Sequence, residues 1–157
     1  HQIPASNGAM IAALIAPLGC EVIRIGPVPD DRAALAAALA QAEAANILIT
    51  SGGASVGDHD LIKPALTDWG AQIAFWKIAI KPGKPLLVAT RGHQVILGLP
   101  GNPVSSFVTA LLFALPLIRA SQGDPEPLPR PEILRAGEDL PAIGPRREFL
   151  RAVRDGD

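Results

Sequence analysis

Apolar residues fall along this chain in blocks of two different rhythms. Over residues 7–18 they recur at Met10, Ile11, Leu14, Ile15 and Leu18, the spacing of one helical face. Ser6 stands where an N-cap belongs and Gly19 where a helix stops. Pro17, late in that stretch, predicts a distorted last turn. C-E-V-I-R-I at 20–25 reads as a strand, and residues 26–29 turn the chain. Asp30 or Asp31 then caps a helix to about residue 44, almost wholly alanine and leucine and slim enough to lie close against a sheet.

Residues 46–50 read as a strand that opens into the loop T-S-G-G-A-S-V-G-D-H-D at 50–60. A short helix is expected over 60–69, with Pro64 tolerated in its first turn and Gly70 ending it. Residues 71–80 form one long strand candidate, and K-P-G-K-P at 81–85 is an abrupt turn. Two shorter strands, 85–89 and 94–97, are joined by the polar loop 90–93, which predicts a hairpin and hence a mixed sheet. Residues 104–120 read as a long apolar helix that Pro116 kinks or ends. The proline-rich run that follows is a linker by composition. The alternation of strand and helix predicts a three-layer α/β/α fold with a mostly parallel mixed sheet. The expected organisation is a domain over 1–123, a linker at 124–131, and at 132–157 the start of a truncated β domain or an arm, too short for a core of its own.

Composition narrows the possibilities. The 157 residues are 48% hydrophobic but only 4% aromatic, so the core is built from Ala, Leu, Ile and Val. A formal charge of -1, from 14 basic and 15 acidic residues, supplies no general field for nucleic acid or acidic membranes; a local basic pocket stays open. A single cysteine, Cys20, excludes an internal disulfide and a multi-cysteine metal site. No run reaches roughly 18 consecutive apolar residues and no signal-peptide pattern is visible, so a soluble cytoplasmic protein is expected. The chain begins at His1, which leaves an upstream segment open.

The candidate chemistry lies in the loops. Gly52, Gly53 and Gly57 permit tight turns that bring N–H groups near an anion, and Ser51 and Ser55 add hydroxyl donors. The same loop serves equally as a plain connection. It matches neither a P-loop nor the Rossmann glycine pattern. Asp58 and Asp60 could hold Mg²⁺, orient an oxyanion or accept a proton; capping of the next helix is the plainer reading. Lys81 and Lys84 are point charges on a stiff turn, or simply solvated lysines. In L-P-G-N-P-V-S-S, Pro100 and Pro103 stiffen the loop, Gly101 frees the backbone and Asn102 bonds within the turn. Ser105 falls in the first turn of the next helix, where free N–H groups form an anion site.

S-G-G-A-S-V-G-D-H-D, F-W-K-I-A-I-K-P-G-K-P and G-L-P-G-N-P-V-S-S together resemble the molybdopterin molybdenumtransferase family of molybdenum cofactor biosynthesis. S-N at Ser6 and V-P-D-D at 28–31 fit the same resemblance, which runs from about Gln2 to Gly123. It implies binding of molybdopterin in its adenylylated form and insertion of molybdate, with Mg²⁺-dependent release of AMP, in a homo-oligomer (dimer or trimer). It places Ser51, Gly52, Gly53, Ser55, Gly57, Lys81, Lys84, Pro100, Gly101, Asn102, Pro103 and Ser105 around the pterin-phosphate, with Asp58 or Asp60, preferably Asp60, at the metal end. E-F-L-R at 148–151 resembles the start of that family's C-terminal β domain. Ala5 departs from the family's usual aspartate, and the family's N-terminal domains have no counterpart in the chain. The alternatives are a binding or carrier module without turnover and a molybdopterin adenylyltransferase. A competence-damage-type nucleotide hydrolase is disfavoured, because Ala54-Ser55-Val56 stands where its loop reads differently.

Overall fold

The structure is a computed structural model that describes residues 6–52, 61–142 and 144–154. Helix α1 spans Asn7–Ile15 and tightens into a 3₁₀ turn at Ala16–Leu18, as Pro17 foretells, before Gly19 closes it at φ +70. The Ser6 side chain makes no capping bond; its carbonyl instead accepts from the Met10 N–H. Helix α2, Arg32–Gln41, is capped by Asp31, whose carboxylate accepts from the Ala34 N–H at 2.9 Å. It ends near Ala42, earlier than the run of alanines implies.

Strand β1, Ile47–Ser51, pairs in parallel with β5, Gln94–Leu99. Strand β4, Leu87–Arg91, runs antiparallel to β5, and β2, Gln72–Trp76, antiparallel to β4. The sheet order is β1-β5-β4-β2, a mixed sheet in which, among the described strands, parallel pairing is confined to β1 and β5. The β4–β5 connection is the expected hairpin but tighter, with Arg91 opposite Gln94 and Gly92 at φ +57.

Four expectations need correction. The sheet is mixed but not mostly parallel: of its three ladders among the described residues, β4–β5 and β2–β4 are antiparallel, because a tight hairpin joins β4 to β5. Residues 20–25 form no strand: β1 pairs only with β5 among the described residues, and Val22 and Ile23 stay exposed. The long strand over 71–80 breaks at Lys77, where φ reaches 90; its continuation, β3 at Ile80–Lys81, pairs with β6 at Arg147–Glu148 in a separate two-stranded sheet. The long helix runs as α4 (Pro103–Thr109), a π turn (Ala110–Ala114) and α5 (Leu115–Ser121). Leu115 N–H reaches back to the Ala110 carbonyl, five residues away. Pro116 follows at once, and a proline crowds the carbonyl four residues before it; the widened turn is where the helix accommodates it.

Helix α3, Ile62–Asp68, carries Pro64 in its first turn, and Gly70 follows at φ +89. The helices flank the sheet on two sides. Ile11, Ile15, Leu97, Leu99, Ala114 and Ile118 pack α1, the π turn and α5 on one face. Leu35, Leu39, Leu66, Leu87 and Ile96 pack α2 and α3 on the other. The fold is the expected α/β layering. At 19 residues and a mean hydropathy of 1.7, Pro103–Ser121 is long and apolar enough to cross a membrane by length and composition. Here it lies on the sheet, with Ala110, Ala114, Leu115 and Ile118 in the core.

Candidate functional site

Register brings the strand ends to one edge. Ser51 lies opposite Leu99, Gly98 opposite Leu87, and Leu87 opposite Trp76. Loops after parallel strands β1 and β5 therefore open side by side, where α/β sheets place ligands. They touch through backbone. Gly52 turns at φ +90 and its N–H donates to the Leu99 carbonyl at 3.2 Å. A Cβ on Gly101 would sit 3.4 Å from the Gly52 Cα, and one on Gly52 3.9 Å from the Gly101 Cα. No side chain separates the two loops at that point.

Asn102 caps α4 in two ways. Its Oδ1 accepts from the Ser105 N–H at 3.2 Å, and its backbone carbonyl accepts from the Ser106 N–H at 2.8 Å. The N–H groups assigned from sequence to an anion at Ser105 are thus occupied, as is that of Gly52. Pro103, at the head of the helix, has no N–H to give. The Ser51 hydroxyl, on an exposed residue, and the lysine side chains are side-chain donors beside them.

Asn7, which the sequence offers as part of a helix head and of the S-N pair in the family resemblance, joins the loops. Its Nδ2 donates to Ser51 Oγ and to the Gly101 carbonyl, both at 2.8 Å. The S-N pair was the available signal, and its polarity at the start of an apolar helix is what capping alone would also produce.

The K-P-G-K-P turn docks on the long helix. Gly83 is buried at φ +110, and a Cβ there would lie 2.6 Å from Thr109 Cγ2 and 3.0 Å from Ile80 Cδ1. The Lys84 carbonyl accepts from Ile78 and Leu86 N–H groups, which fixes the turn against the end of β4, while Lys84 itself is exposed. Lys81 behaves differently: its Nζ lies 3.1 Å from Glu148 Oε1 in the C-terminal arm. Beside the turn, the ammonium groups of Lys63 and Lys77 lie over the Trp76 ring, Lys77 at 3.9 Å from its centre. Gly53, Ser55, Gly57, Asp58 and Asp60 lie outside the described residues, between Gly52 at the sheet edge and Leu61 at the head of α3. Among the described residues no group of three or more His, Cys, Asp and Glu side chains could hold a metal ion.

A family model described as a probable molybdopterin binding domain matches residues 1–120. The chain belongs to this family. Molybdopterin-binding domain relatives include the molybdopterin molybdenumtransferase of Haemophilus influenzae, 45% identical over 123 residues, covering 78% of this chain and 30% of that protein. The protein of the same name from Synechococcus elongatus is 40% identical over 146 residues, covering 88% of this chain and 36% of that one. Among solved structures, the molybdopterin biosynthesis MoeA protein from Pyrococcus horikosii superposes with a TM-score of 0.69 at 31% identity, over 78% of this chain and 30% of that chain. The chain thus spans about a third of the length of these relatives. Both loops of the sheet edge, with Asn7 and the K-P-G-K-P turn, fall inside the family match.

Proposed function

We propose that this chain is the molybdopterin-binding part of a molybdopterin molybdenumtransferase acting in molybdenum cofactor biosynthesis. The observation that carries the reading is the Gly52–Gly101 approach inside the family match, which leaves a side-chain-free cradle beside Ser51 at the sheet edge. Its substrate is the adenylylated form of molybdopterin, and molybdate insertion releases AMP. Ser51, Pro100, Gly101 and Asn102 form the described wall around the pterin-phosphate, with Gly53, Ser55 and Gly57 continuing it. Lys84 supplies positive charge, and Lys81 does so on leaving Glu148. A phosphate and a molybdate brought together repel, so cations rather than further carboxylates are what the site needs. Asp58 and Asp60 hold Mg²⁺ in this reading, Asp60 directly. Residues 124–131 act as a linker and 132–157 as the start of a β domain, and the protein works as a cytoplasmic homo-oligomer. The combination S-V-G-D-H-D with K-P-G-K-P favours this activity over adenylyl transfer.

A binding or carrier role without turnover is the second reading. Two measurements separate the possibilities. Titration with molybdopterin should give saturable quenching of tryptophan fluorescence, weakened more by Lys84→Ala than by Asp60→Ala. Equal and negligible effects of both would remove the pocket assignment. Incubation with adenylylated molybdopterin, molybdate and Mg²⁺ should release AMP; binding without release leaves the carrier reading.

A further inference from the structure

Asn7 sets the hydrogen-bonding direction of Ser51. A carbonyl oxygen can only accept, so the 2.8 Å contact to Gly101 requires the amide nitrogen on that side and fixes how the Asn7 amide is turned. The same nitrogen donates to Ser51 Oγ at 2.8 Å. Ser51 Oγ accepts there, which turns its own O–H hydrogen away from Asn7. The Asn7 Oδ1 is buried and has no hydrogen-bond partner among the described residues. Ser51, by contrast, is exposed at the sheet edge.

We propose that Asn7 is a positioning residue that holds the Ser51 hydroxyl as a donor toward an anionic oxygen of the ligand. The inference rests on the molybdopterin-binding reading. The N–H groups of Gly52, Ser105 and Ser106 are engaged within the protein, so at this point of the edge the Ser51 hydroxyl is the group that can turn to a ligand. An unheld serine hydroxyl rotates among donor and acceptor arrangements. A held one is committed before the ligand arrives, which lowers the ordering cost of binding.

The test is a double-mutant cycle on the full chain, read as molybdopterin affinity by titration. Asn7→Asp keeps the shape but offers a carboxylate that only accepts, so the Ser51 O–H turns back toward it. Asn7→Asp and Ser51→Ala should each weaken binding about tenfold, the worth of one hydrogen bond to a charged group. The double variant should bind no worse than the weaker single one. A role confined to tying α1 to the sheet would instead give losses that multiply, or leave Asn7→Asp within twofold of the parent, and either result overturns the proposal. If circular dichroism shows Asn7→Asp unfolded, Asn7→Ala takes its place under the same criteria. Failure of the parent chain to bind molybdopterin would instead overturn the proposed function, and this inference with it.

Discussion

At the scale of single residues the site is held by contacts a side chain would spoil. Gly52→Ala places an alanine at φ +90 and aims its methyl at Gly101. It should cost about 1–3 kcal/mol, the range for a non-glycine residue in a sparsely populated backbone region. Urea unfolding measures that cost, and molybdopterin titration should show weakened binding. Lys81 gives the opposite expectation. Its partner Glu148 is about a quarter exposed and Lys81 about half, so the pair contributes less than about 1 kcal/mol. Glu148→Gln should leave the melting temperature nearly unchanged while strengthening anion binding, as the lysine is released; unchanged affinity would place Lys81 outside the pocket. Sequence made Gly52, Gly101 and Asn102 legible, because turn chemistry is local. It missed that Asn102 takes up the Ser105 and Ser106 N–H groups, and it missed Asn7's reach to residues 44 and 94 positions away. Both facts depend on which neighbours tertiary packing brings close.

Among the elements, the K-P-G-K-P turn and the long helix form one unit, joined where Gly83 meets Thr109. Gly83→Ala should destabilise by about 1–3 kcal/mol through overpacking, with backbone strain at φ +110 added. Adding Thr109→Ser removes the clashing methyl and should restore part of that loss, leaving the strain. Thermal melts of the single and double variants measure it, and no recovery would argue that the Thr109 contact is not the cause. Capping at Asp31, the stop at Gly19 and the hairpin at Gly92 were readable because each is fixed by residues within a few positions. The strand expected at 20–25 was not. Alternation reports an apolar face and says nothing about whether a neighbour is present to pair with. The break at Lys77 was hidden for a related reason: F-W-K-I-A-I has strand composition throughout, and only the Lys77 N–H to Leu86 and Ile78 N–H to Lys84 bonds show the backbone turning. The π turn was equally invisible, although Pro116 marked the place.

For the molecule as a whole, two cores share one sheet. Trp69 and Trp76 both pack with the α2–α3 core, so fluorescence watches one face while far-UV circular dichroism watches both. Leu66, fully buried on the α3 side, and Leu99, fully buried on the α1 side, should each cost about 2–5 kcal/mol when changed to alanine. If the domain unfolds as one unit, either change shifts the fluorescence and dichroism transitions together. A Leu99→Ala variant that moves dichroism alone would show the faces unfolding separately. The layered architecture was legible from the order of elements, whereas the strand pairing that builds the edge was not. That pairing leaves β1 with a ladder on one side only among the described residues. The side without a ladder belongs to I-L-I-T-S, a sequence of high β propensity with no charge or proline. Strand addition between molecules at that margin should therefore make light scattering rise with concentration, and a charge placed in β1 at Thr50 should suppress it.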